Sequence, residues 1–439
     1  MKNNLIRIIA LMMAALTLLS ALSACASGEK PAATESIGET GTETPEPVCE
    51  VDTATLLASN VYAADGLEYA LYTCKTYYLK NPHTLKRTLK GGVAEIWYLS
   101  AFIEMLAEAH RLYPDNKEIK DYYVDVLDKC LPGYLVKNKT IRTPAKTNFK
   151  NITYYNAVKG GTGDFYYDDN AWICYQLLEA YDLLGDQKYL EAAETNLAFL
   201  KTGWREDGGG IYWSKDFKSV GTCSTSPTCT CFLRAYMVTN KQEYLDFAIQ
   251  IYDWARKNVL GSNGMYHGGV GDPWQPSYDS GTMLINSSLL YKITGEKKYQ
   301  TQAKATALAS VSHCFNVTGS AKNKKVRLAT NPYYCPWAFT WMLRGIKEYY
   351  EIAAKKDETF YDYIKILLDE RRGKKNDNGQ YDPYLGTGCK DWLGDGSTFG
   401  VDDVVIMPSG YAEMLLVVAS FDVFTSESAL AALETDTRT

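Results

Sequence analysis

The sequence predicts an all-α protein in which helical hairpins close into a toroid. Three similar stretches, LLGDQKYLEAA, VTNKQEYLDFA and ITGEKKYQTQA, place Tyr189, Tyr244 and Tyr299 at intervals of 55 residues. In each stretch a Gly or Asn ends one apolar-periodic segment, polar residues follow, and a new periodic segment begins. This is the pattern of a helix end, a short connection and a helix start. The repeating unit is therefore a helical hairpin.

The length of the chain predicts how many hairpins there are. The chain has 439 residues, of which residues 49–439 follow an N-terminal segment of different composition. Divided by the repeat length, this part allows about seven hairpins. An open array would need polar caps at both ends, whereas a closed ring needs none. We therefore expect a closed α/α toroid of six or seven hairpins, with inner helices around a central funnel.

Helical periodicity outside the three stretches fits the same unit. Residues 95–114 form a strongly amphipathic pattern that ends at Pro114, and residues 335–356 form another. Residues 409–424 are expected to be the last helix of the set. Within the repeats, the predicted helical segments are 171–184, 189–200 and 232–239.

An export signal precedes the toroid. Lys2 and Arg7 come before an apolar run over residues 8–22, and the run ends in the sequence Leu-Ser-Ala-Cys at Cys25. A basic start, a short apolar core and small residues are typical of a signal peptide. The ending resembles a bacterial lipobox, in which the cysteine is lipidated. The alternative is a plain secretory signal with a chance cysteine.

These patterns divide the chain into three parts. Residues 1–25 are a lipoprotein signal peptide, residues 26–48 are a flexible tether, and residues 49–439 are the toroid. The tether is predicted because its Gly, Glu, Pro, Ala, Thr and Ser residues cannot bury enough apolar surface to fold. We expect an extracytoplasmic protein that is anchored to the cell membrane through a lipid on Cys25 and contacts the membrane only there.

The composition excludes several function classes. A net charge of −6 provides no attraction for nucleic acid or an anionic membrane. The sequence contains no phosphate-binding loop and no Gly-x-Ser-x-Gly elbow, and its histidines and cysteines lack metal-ligand spacing. We therefore expect no cofactor, no metal and a monomer. The 34 tyrosines either pack between helices or line a site for a polyhydroxylated ligand. The cysteines are either disulfide-bonded or free and buried.

The phase of the repeat brings polar residues to one end of the ring. The pair Asp168-Asp169 precedes Tyr189 by the same interval that separates Cys223-Ser224 from Tyr244 and Tyr278-Asp279 from Tyr299. Equivalent positions in a ring face the same mouth, so these pairs are expected at the starts of successive inner helices. Helix capping is the alternative for one aspartate, but it explains a second, adjacent aspartate less well.

Two neighbouring carboxyl groups predict glycoside hydrolysis. That reaction needs one carboxylate and one carboxylic acid on either side of the bond, about 5 Å apart in a retaining enzyme. Adjacent residues span this shorter distance, so the pair indicates retention. Burial against Tyr167 or Trp172 would help one of the two to keep a proton. A second pair, Asp402-Asp403, is the rival candidate, although a buried apolar segment follows it.

Two further stretches supply candidate binding residues. DGGGIYWS, residues 207–214, has glycines that permit close backbone approach and aromatic rings that could stack on a sugar. The alternative for this stretch is a tight turn with two buried aromatic residues. In CSTSPTC, residues 223–229, the hydroxyl groups before Pro227 either cap a helix or contact a ligand.

A family resemblance supports this interpretation. YYDDNAWICYQLLEAYDLLGDQKYLEAA, followed in order by GGGIYWS, CSTSP, YDSGTMLINSSLLYKITGEKKY and WAFTWMLRGI, resembles the bacterial endo-α-1,6-mannanases of glycoside hydrolase family 76. The resemblance covers roughly residues 90–350. It implies an (α/α)6 toroid that cleaves α-1,6-linked mannan with retention, with Asp168 as the nucleophile and Asp169 as the acid/base.

The resemblance also implies binding residues. Gly209, Gly210 and Trp213 match a substrate-lining loop, and Tyr278 and Gly281 match the ends of a Tyr-Asn-Gln-Gly motif. The candidate substrate-binding residues are therefore Tyr167, Gly209, Gly210, Tyr212, Trp213, Ser224, Thr225, Tyr278 and Asp279.

This chain departs from the family pattern at several positions. Asp279 and Ser280 stand in the middle of the Tyr-Asn-Gln-Gly motif, Ile173 replaces a tryptophan, and Thr340 replaces a common lysine. From the aspartate pair and the resemblance together, the sequence predicts a retaining α-mannosidase that acts on α-1,6-mannan or a related α-mannoside. The alternatives are a glycan-capturing lipoprotein without activity, a transglycosidase, and another toroid enzyme such as a lyase, an unsaturated uronyl hydrolase or an epimerase.

Overall fold

The computed structural model describes residues 53–320, 323–329, 335–353, 357–371 and 404–436. The predicted signal peptide with Cys25, the tether over residues 26–48 and the rival pair Asp402-Asp403 lie outside the described residues.

The described residues form thirteen α-helices and three small antiparallel sheets. The helices are α1 Thr53–Ser59, α2 Val61–Tyr77, α3 Ile96–Leu112, α4 Lys117–Asp125, α5 Tyr167–Leu184, α6 Gln187–Lys201, α7 Thr222–Thr239, α8 Gln242–Asn258, α9 Ser277–Thr294, α10 Lys297–Cys314, α11 Pro336–Tyr350, α12 Thr359–Arg371 and α13 Ile406–Asp436. The strands are β1 Tyr78–Leu79, β2 Thr84–Thr88 and β3 Gly91–Val93 in the first sheet, β4 Leu135–Arg142 and β5 Asn148–Tyr155 in the second, and β6 Phe315–Ser320 and β7 Asn323–Leu328 in the third. A π turn over Val126–Cys130 and a 3-10 turn over Leu131–Tyr134 lead from α4 into β4.

Six inner helices form a closed ring within the described part of the chain. Helices α3, α5, α7, α9, α11 and α13 each contact the next, and α13 returns to contact α3. Helices α4, α6, α8, α10 and α12 follow the first five of these as outer partners, whereas α2 packs on α13. The sixth hairpin therefore pairs α2, near the start of the described residues, with α13 at their end, which closes the toroid. The predicted all-α toroid of helical hairpins is confirmed, with six hairpins.

The repeat of 55 residues corresponds to one inner and one outer helix. Helices α5, α7 and α9 have 18 residues each and end at Gly185, Asn240 and Gly295 in the left-handed conformation that commonly terminates helices. Each of these residues donates its backbone N–H to a tyrosine carbonyl in the preceding turn. The repeat is irregular elsewhere because β-hairpins lengthen the connections before α5 and α11.

Helices α5, α7 and α9 are buried on most sides, which explains their weak amphipathic pattern. In α9, every residue from Ser277 to Leu290 is buried. At Gly281, a Cβ atom would lie 2.4 Å from the carbonyl oxygen of Trp341, so only glycine lets α9 and α11 approach this closely. Residues 406–423 of α13 are apolar enough to span a membrane, with a mean hydropathy of 1.3, but 94% of them are buried inside the protein.

All eight described cysteines are free thiols, and seven of them are buried. Cys174, Cys229 and Cys231 donate to backbone carbonyl oxygens of neighbouring helices. The sequence left open whether the cysteines are disulfide-bonded or free and buried. The described cysteines are free thiols, and nearly all of them are buried.

Charged residues fill the end of the ring where the inner helices terminate. A cavity of about 540 Å³ there is lined by Glu108, Arg111, Glu179, Arg234 and Arg344 among others. Glu179 forms ion pairs with Arg111 and Arg234. Burial alone would raise the pKa of Glu179, but the guanidinium groups outweigh it and hold the pKa at about 2. This network therefore ties α3, α5 and α7 together electrostatically.

Replacing Glu179 by glutamine is expected to lower the free energy of unfolding by about 3 kcal/mol, which corresponds to the lowering of its pKa from 4.5 to about 2. Arg111 and Arg234 lose their shared partner but keep Glu108 and Asp182. The folded pKa of about 2 lies below the ordinary value of 4.5, so the stabilisation is present above pH 4.5 and is lost as the pH falls towards 2. Denaturant titrations at several pH values should show that the difference in the free energy of unfolding between wild type and variant decreases as the pH falls. As a control, Glu348→Gln removes a carboxylate that is more exposed than Glu179, and its partner Lys292 keeps Glu351, so the change should cost less than about 1 kcal/mol. Equal losses for both variants would contradict the prediction.

Candidate active site

A cavity of about 430 Å³ opens at the end of the ring where the inner helices begin. Five inner helices each contribute their second residue to its wall. These residues are Trp97 of α3, Asp168 of α5, Cys223 of α7, Tyr278 of α9 and Trp337 of α11. The remaining lining residues are Glu95, Ala157, Tyr166, Asp169, Trp172, Trp213 and Trp274. The repeat thus brings equivalent positions to one mouth, as the sequence predicts.

Aromatic rings form most of the cavity wall. The indole of Trp337 meets those of Trp97 and Trp172 edge to face, with ring centroids 5.6 and 5.4 Å apart. On other sides, Trp213 packs on Tyr166 and Trp274 packs on Tyr278. Such rings offer apolar faces, while the indole and phenol groups retain polar edges. The wall suits a ligand with both apolar and hydroxyl-bearing faces.

The loop that carries Trp213 is fixed to the start of α5. The backbone N–H of Tyr167 donates to the carbonyl oxygen of Trp213 over 2.8 Å, and Tyr166 forms a bridge with Ser214. This contact brings the Trp213 indole N–H to Asp168 Oδ2, at 2.9 Å. The indole, 42% exposed, therefore lies at the rim and holds the carboxylate from the open side.

Asp168 is surrounded by donors to its charged form. In addition to the Trp213 indole, its own Oδ1 accepts the backbone N–H of Asp169 at 3.0 Å, and the Cys223 thiol donates to the carboxylate. Burial raises the pKa of Asp168 to about 6, and these hydrogen bonds keep it from rising further. The position near the helix N-terminus also favours a negative charge. Asp168 is therefore the member of the pair that ionises first.

Asp169 has the opposite environment. Burial raises its pKa well above the ordinary value, and the charges of Asp168 and Glu95 raise it further. No hydrogen-bond donor from the described residues offsets these effects. Asp169 is therefore the member of the pair that keeps its proton, so the two carboxyl groups differ in the way that acid–base catalysis needs.

Helix capping does not explain the pair. The residue at the N-cap of α5 is Tyr166, and its side chain makes no capping hydrogen bond. Asp168 and Asp169 lie within the first turn, and both side chains line the cavity.

Replacing Trp213 by phenylalanine is expected to raise the pKa of Asp168, because the indole N–H no longer stabilises the carboxylate. A hydrogen bond to a charged group is worth about 1.5–3 kcal/mol, so the acidic limb of the activity profile should move up by about one to two pH units. The pH dependence of kcat/KM measures this shift. Trp254→Phe is the matched control, because that indole donates to Gly208 on the same loop and lies outside the cavity wall. An unmoved acidic limb in Trp213→Phe would contradict the assigned contact.

Three predicted binding residues lie behind the wall. Tyr167 is fully buried, stacks on Phe199 and shares a hydrogen bond with Thr202, so its neighbour Tyr166 lines the cavity instead. Ser224 and Thr225 are also buried, and both hydroxyl groups donate to the carbonyl oxygen of Gly221.

The placement of Ser224 and Thr225 corrects the helix-capping interpretation of the stretch before Pro227, whereas their contact with a ligand stays a prediction. Helix α7 begins at Thr222 rather than next to Pro227, so neither hydroxyl group caps the helix from outside, and neither reaches the cavity. The physical reason is that both hydroxyl groups donate hydrogen bonds to the backbone carbonyl oxygen of Gly221.

The glycine-rich loop also has a structural role. Gly209 and Gly210 have φ values of 74° and 80°, and a Cβ atom on either would lie within 2.7 Å of the Trp254 ring. Tyr212 is buried with its ring against Phe217. These three residues form a tight turn outside the cavity wall, and Trp213 alone of this stretch lines the cavity. Their sugar contacts stay a prediction.

Asp279 occupies the third position of α9, equivalent to Asp169, but its side chain is fully buried outside the cavity wall. Neither carboxyl oxygen has a hydrogen-bond partner among the described residues. Burial raises its pKa well above the ordinary value, as do the charges of Asp168 and Asp272. Asp279 is thus held in its protonated form beneath the site instead of adding charge at the mouth.

Most of the tryptophans of the wall were not among the predicted site residues, although a signal for two of them was present. Trp97 and Trp337 stand second in their helices, as Asp168 does, so extending the helix phase beyond the three clear repeats would have identified them. Glu95 directly precedes α3, as Tyr166 precedes α5, so the same helix phase would have identified it. Trp274 precedes α9 in an irregular connection, where no periodic signal exists.

Comparison with known proteins agrees with the resemblance seen in the sequence. The sequence profile of glycosyl hydrolase family 76 matches residues 62–375. The chain is 22% identical over 272 residues to the meiotically up-regulated gene 191 protein of Schizosaccharomyces pombe, covering 53% of this chain and 56% of that protein. It is 28% identical over 138 residues to a mannan endo-1,6-alpha-mannosidase of Saccharomyces cerevisiae, covering 28% of this chain and 31% of that protein. The chain thus spans about half or less of the length of these curated relatives.

Solved structures share the fold. A family 76 mannosidase from Bacteroides thetaiotaomicron superposes with a TM-score of 0.66 at 24% identity, covering 83% of this chain and 99% of that chain. An α-1,6-mannanase from a Salegentibacter species gives a TM-score of 0.61 at 18% identity, covering 81% of this chain and 98% of that chain. The latter structure is an inactive variant, with two consecutive aspartates replaced by asparagine, in complex with α-1,6-mannotriose.

Proposed function

Because the chain belongs to glycosyl hydrolase family 76, we propose that it is a retaining glycoside hydrolase that cleaves α-1,6-linked mannan or a related α-mannoside. The observation that carries the proposal is the asymmetry of the aspartate pair. Asp168 accepts hydrogen bonds that favour its ionised form, whereas burial and neighbouring charge keep the proton on Asp169.

The first step forms a covalent intermediate. The carboxylate of Asp168 attacks the anomeric carbon, and Asp169 gives its proton to the glycosidic oxygen as the bond to that oxygen breaks. The products of this step are a free sugar hydroxyl and a glycosyl ester on Asp168. Once this ester forms, Asp168 no longer carries a negative charge, so the pKa of Asp169 falls and the residue can remain ionised.

The second step releases the sugar. The ionised Asp169 takes a proton from a water molecule, and the resulting nucleophile attacks the anomeric carbon and displaces Asp168. Two displacements at one carbon restore the original configuration. The Trp213 indole and the Cys223 thiol stabilise the departing carboxylate of Asp168.

The choice of substrate rests on the relatives and on the cavity. Two of the relatives act on α-1,6-linked mannan or bind its oligosaccharides. In this chain, the rings of Trp97, Trp172 and Trp337 provide apolar faces beside the two carboxyl groups. A mannoside has apolar ring faces as well as hydroxyl groups. It can therefore stack on the aromatic wall while its hydroxyl groups and glycosidic bond lie beside the two carboxyl groups.

Incubation with linear α-1,6-mannan tests the proposal. We expect new reducing ends, and proton NMR of the first product should give an α-anomer that later equilibrates. A β-anomer as first product would overturn retention. Binding without new reducing ends would favour a glycan-capturing protein, longer products would favour a transglycosidase, and an ultraviolet-absorbing product would favour a lyase.

A further inference from the structure

The hairpin formed by β4 and β5 carries charge of one sign only. Residues 135–155 contain five basic residues and no acidic residue, although the whole chain has a net charge of −6. The basic residues are Lys137, Lys139, Arg142, Lys146 and Lys150. All five are exposed. The segments of the other two hairpins, residues 78–93 and 315–328, are also basic and contain no acidic residue, but residues 135–155 carry the largest number of positive charges of the three.

These charges do not stabilise the fold. Among the described residues, none of the five basic side chains forms an ion pair, whereas Lys188 and Lys292 elsewhere each pair with two carboxylates. The inward side of the hairpin is held instead by Ile141, Phe149 and Tyr155, whose side chains are buried or half-buried. The cations are therefore free to interact with a partner outside the chain.

The hairpin lies on the same face of the toroid as the cavity. It connects an outer helix to the start of α5, where Asn170 donates to and accepts from the backbone of Tyr155. Ala157, just after β5, lines the cavity. At the far end, the Thr147 hydroxyl donates to Glu206, in the connection that also carries Trp213. Strands of eight residues rise by about 25 Å in total, so the charges extend well beyond the cavity itself.

Protection of exposed strand edges is the alternative reason for lysines here. Natural sheets place charged residues on open edges to prevent pairing with other chains. Lysine is the usual choice at such edges, so edge protection accounts for Lys137, Lys139 and Lys150. It does not account for Lys146, which lies in the turn between the two strands.

We propose that this hairpin binds anionic groups, phosphodiesters or carboxylates, carried by the same α-mannan polymer whose reacting segment occupies the cavity. The proposal rests on the function proposed above. Asp168 and Glu95 disfavour a negative group at the reacting sugar itself, so the anionic groups belong to units further along the polymer. A membrane surface docked on this hairpin would cover the mouth of the cavity, whereas a polymer chain can occupy both.

The test compares two triple variants on neutral and anionic substrates. The hairpin variant replaces Lys137, Lys139 and Lys150 by glutamine. The control variant replaces Lys120, Lys297 and Lys304 by glutamine. These three lysines are exposed on outer helices, and their replacement removes the same total charge. The substrates are linear α-1,6-mannan, the same mannan after chemical phosphorylation, and the same mannan after carboxymethylation.

We expect wild type and control to cleave an anionic mannan with a kcat/KM about 10-fold above that of the neutral polymer at low salt, because complementary charge speeds encounter. The preference should disappear in the hairpin variant. It should also weaken as the salt concentration rises from about 0.01 to 0.15 M, where the Debye length falls from about 30 to about 8 Å. Activity on neutral mannan should be equal in all three proteins. The two anionic substrates distinguish phosphate from carboxylate recognition.

Three outcomes would overturn the proposal: no preference for anionic mannan in wild type, an equal loss in the control variant, or hairpin-dependent binding to phosphatidylglycerol vesicles without binding to anionic mannan. If wild type cleaves no mannan at all, the proposed function fails separately. Affinity electrophoresis in gels containing phosphorylated mannan would still test the hairpin directly, with hairpin-dependent retardation as the expected result.

Discussion

Replacing Asp168 by asparagine is expected to abolish turnover of α-1,6-mannan, with a loss in kcat on the order of 10⁵-fold. An amide cannot form the glycosyl ester, so the two-step route is closed. The substitution keeps the size of the side chain, and its partners Trp213 and Cys223 can still contact the amide oxygen. Initial rates of reducing-end release measure the loss, and thermal unfolding should confirm that the variant remains folded.

Asp279→Asn is the matched control for this experiment. Asp279 is also an aspartate in the first turn of an inner helix, but it is buried outside the cavity wall in its protonated form. Its replacement by asparagine should change kcat less than about 10-fold, because an uncharged group replaces another. Equal losses for Asp168→Asn and Asp279→Asn would indicate a general disturbance of the ring and would contradict the nucleophile assignment.

A small nucleophile supplies an independent test of Asp168. In Asp168→Ala, azide can occupy the space of the carboxylate and attack the anomeric carbon of an activated aryl α-mannoside. A single displacement should then yield β-mannosyl azide, which NMR identifies. Formation of α-mannosyl azide in this variant would place the nucleophile elsewhere.

Replacing Asp169 by asparagine is expected to lower kcat on mannan by about 10²–10⁴-fold, the usual contribution of a general acid–base residue. The loss should depend on the leaving group. Formation of the glycosyl ester from an aryl mannoside with an acidic phenol needs little protonation, so the burst of phenol should persist while the steady-state rate falls. Stopped-flow absorbance separates the two phases.

The pH profile gives the second signature of Asp169. Activity of the wild type should fall on the acidic side as Asp168 becomes protonated, near pH 6, and on the alkaline side as Asp169 loses its proton. Both apparent pKa values belong to the pair, because the two charges interact. In Asp169→Asn the alkaline limb should disappear and the acidic limb should stay near pH 6, because Asp169 is uncharged while Asp168 titrates. A preserved alkaline limb would assign that limb to another group.

Local sequence signals predicted the main features of the fold. Gly185, Asn240 and Gly295 terminate helices through their own backbone conformation, and the tyrosines that follow them mark the starts of outer helices. These signals depend on a few neighbouring residues, so they can be identified without any tertiary contact. The helix phase that these residues establish was sufficient to predict that Asp168, Cys223 and Tyr278 lie at the same mouth of the ring.

The orientation of individual side chains did not follow from that phase. Asp169 and Asp279 occupy equivalent helix positions, yet Asp169 lines the cavity and Asp279 is buried outside its wall. Likewise, Tyr167 was expected at the sugar, but its ring packs on Phe199 while Tyr166 lines the cavity. A rotation of about 100° separates consecutive helical residues, so the rotation of each helix about its axis, which tertiary packing sets, decides which of two neighbours faces the cavity.

The sequence alone thus determined the helical hairpin, its period, the ring and the aspartate pair, because each depends on spacing along the chain. Only the tertiary structure decided that the ring closes through α2 and α13, that tryptophans from separate helices form one wall, and which aspartate is ionised. Closure and the wall depend on contacts between distant segments. The ionisation of Asp168 depends on Trp213, 45 residues away in sequence but 2.9 Å away in the folded protein.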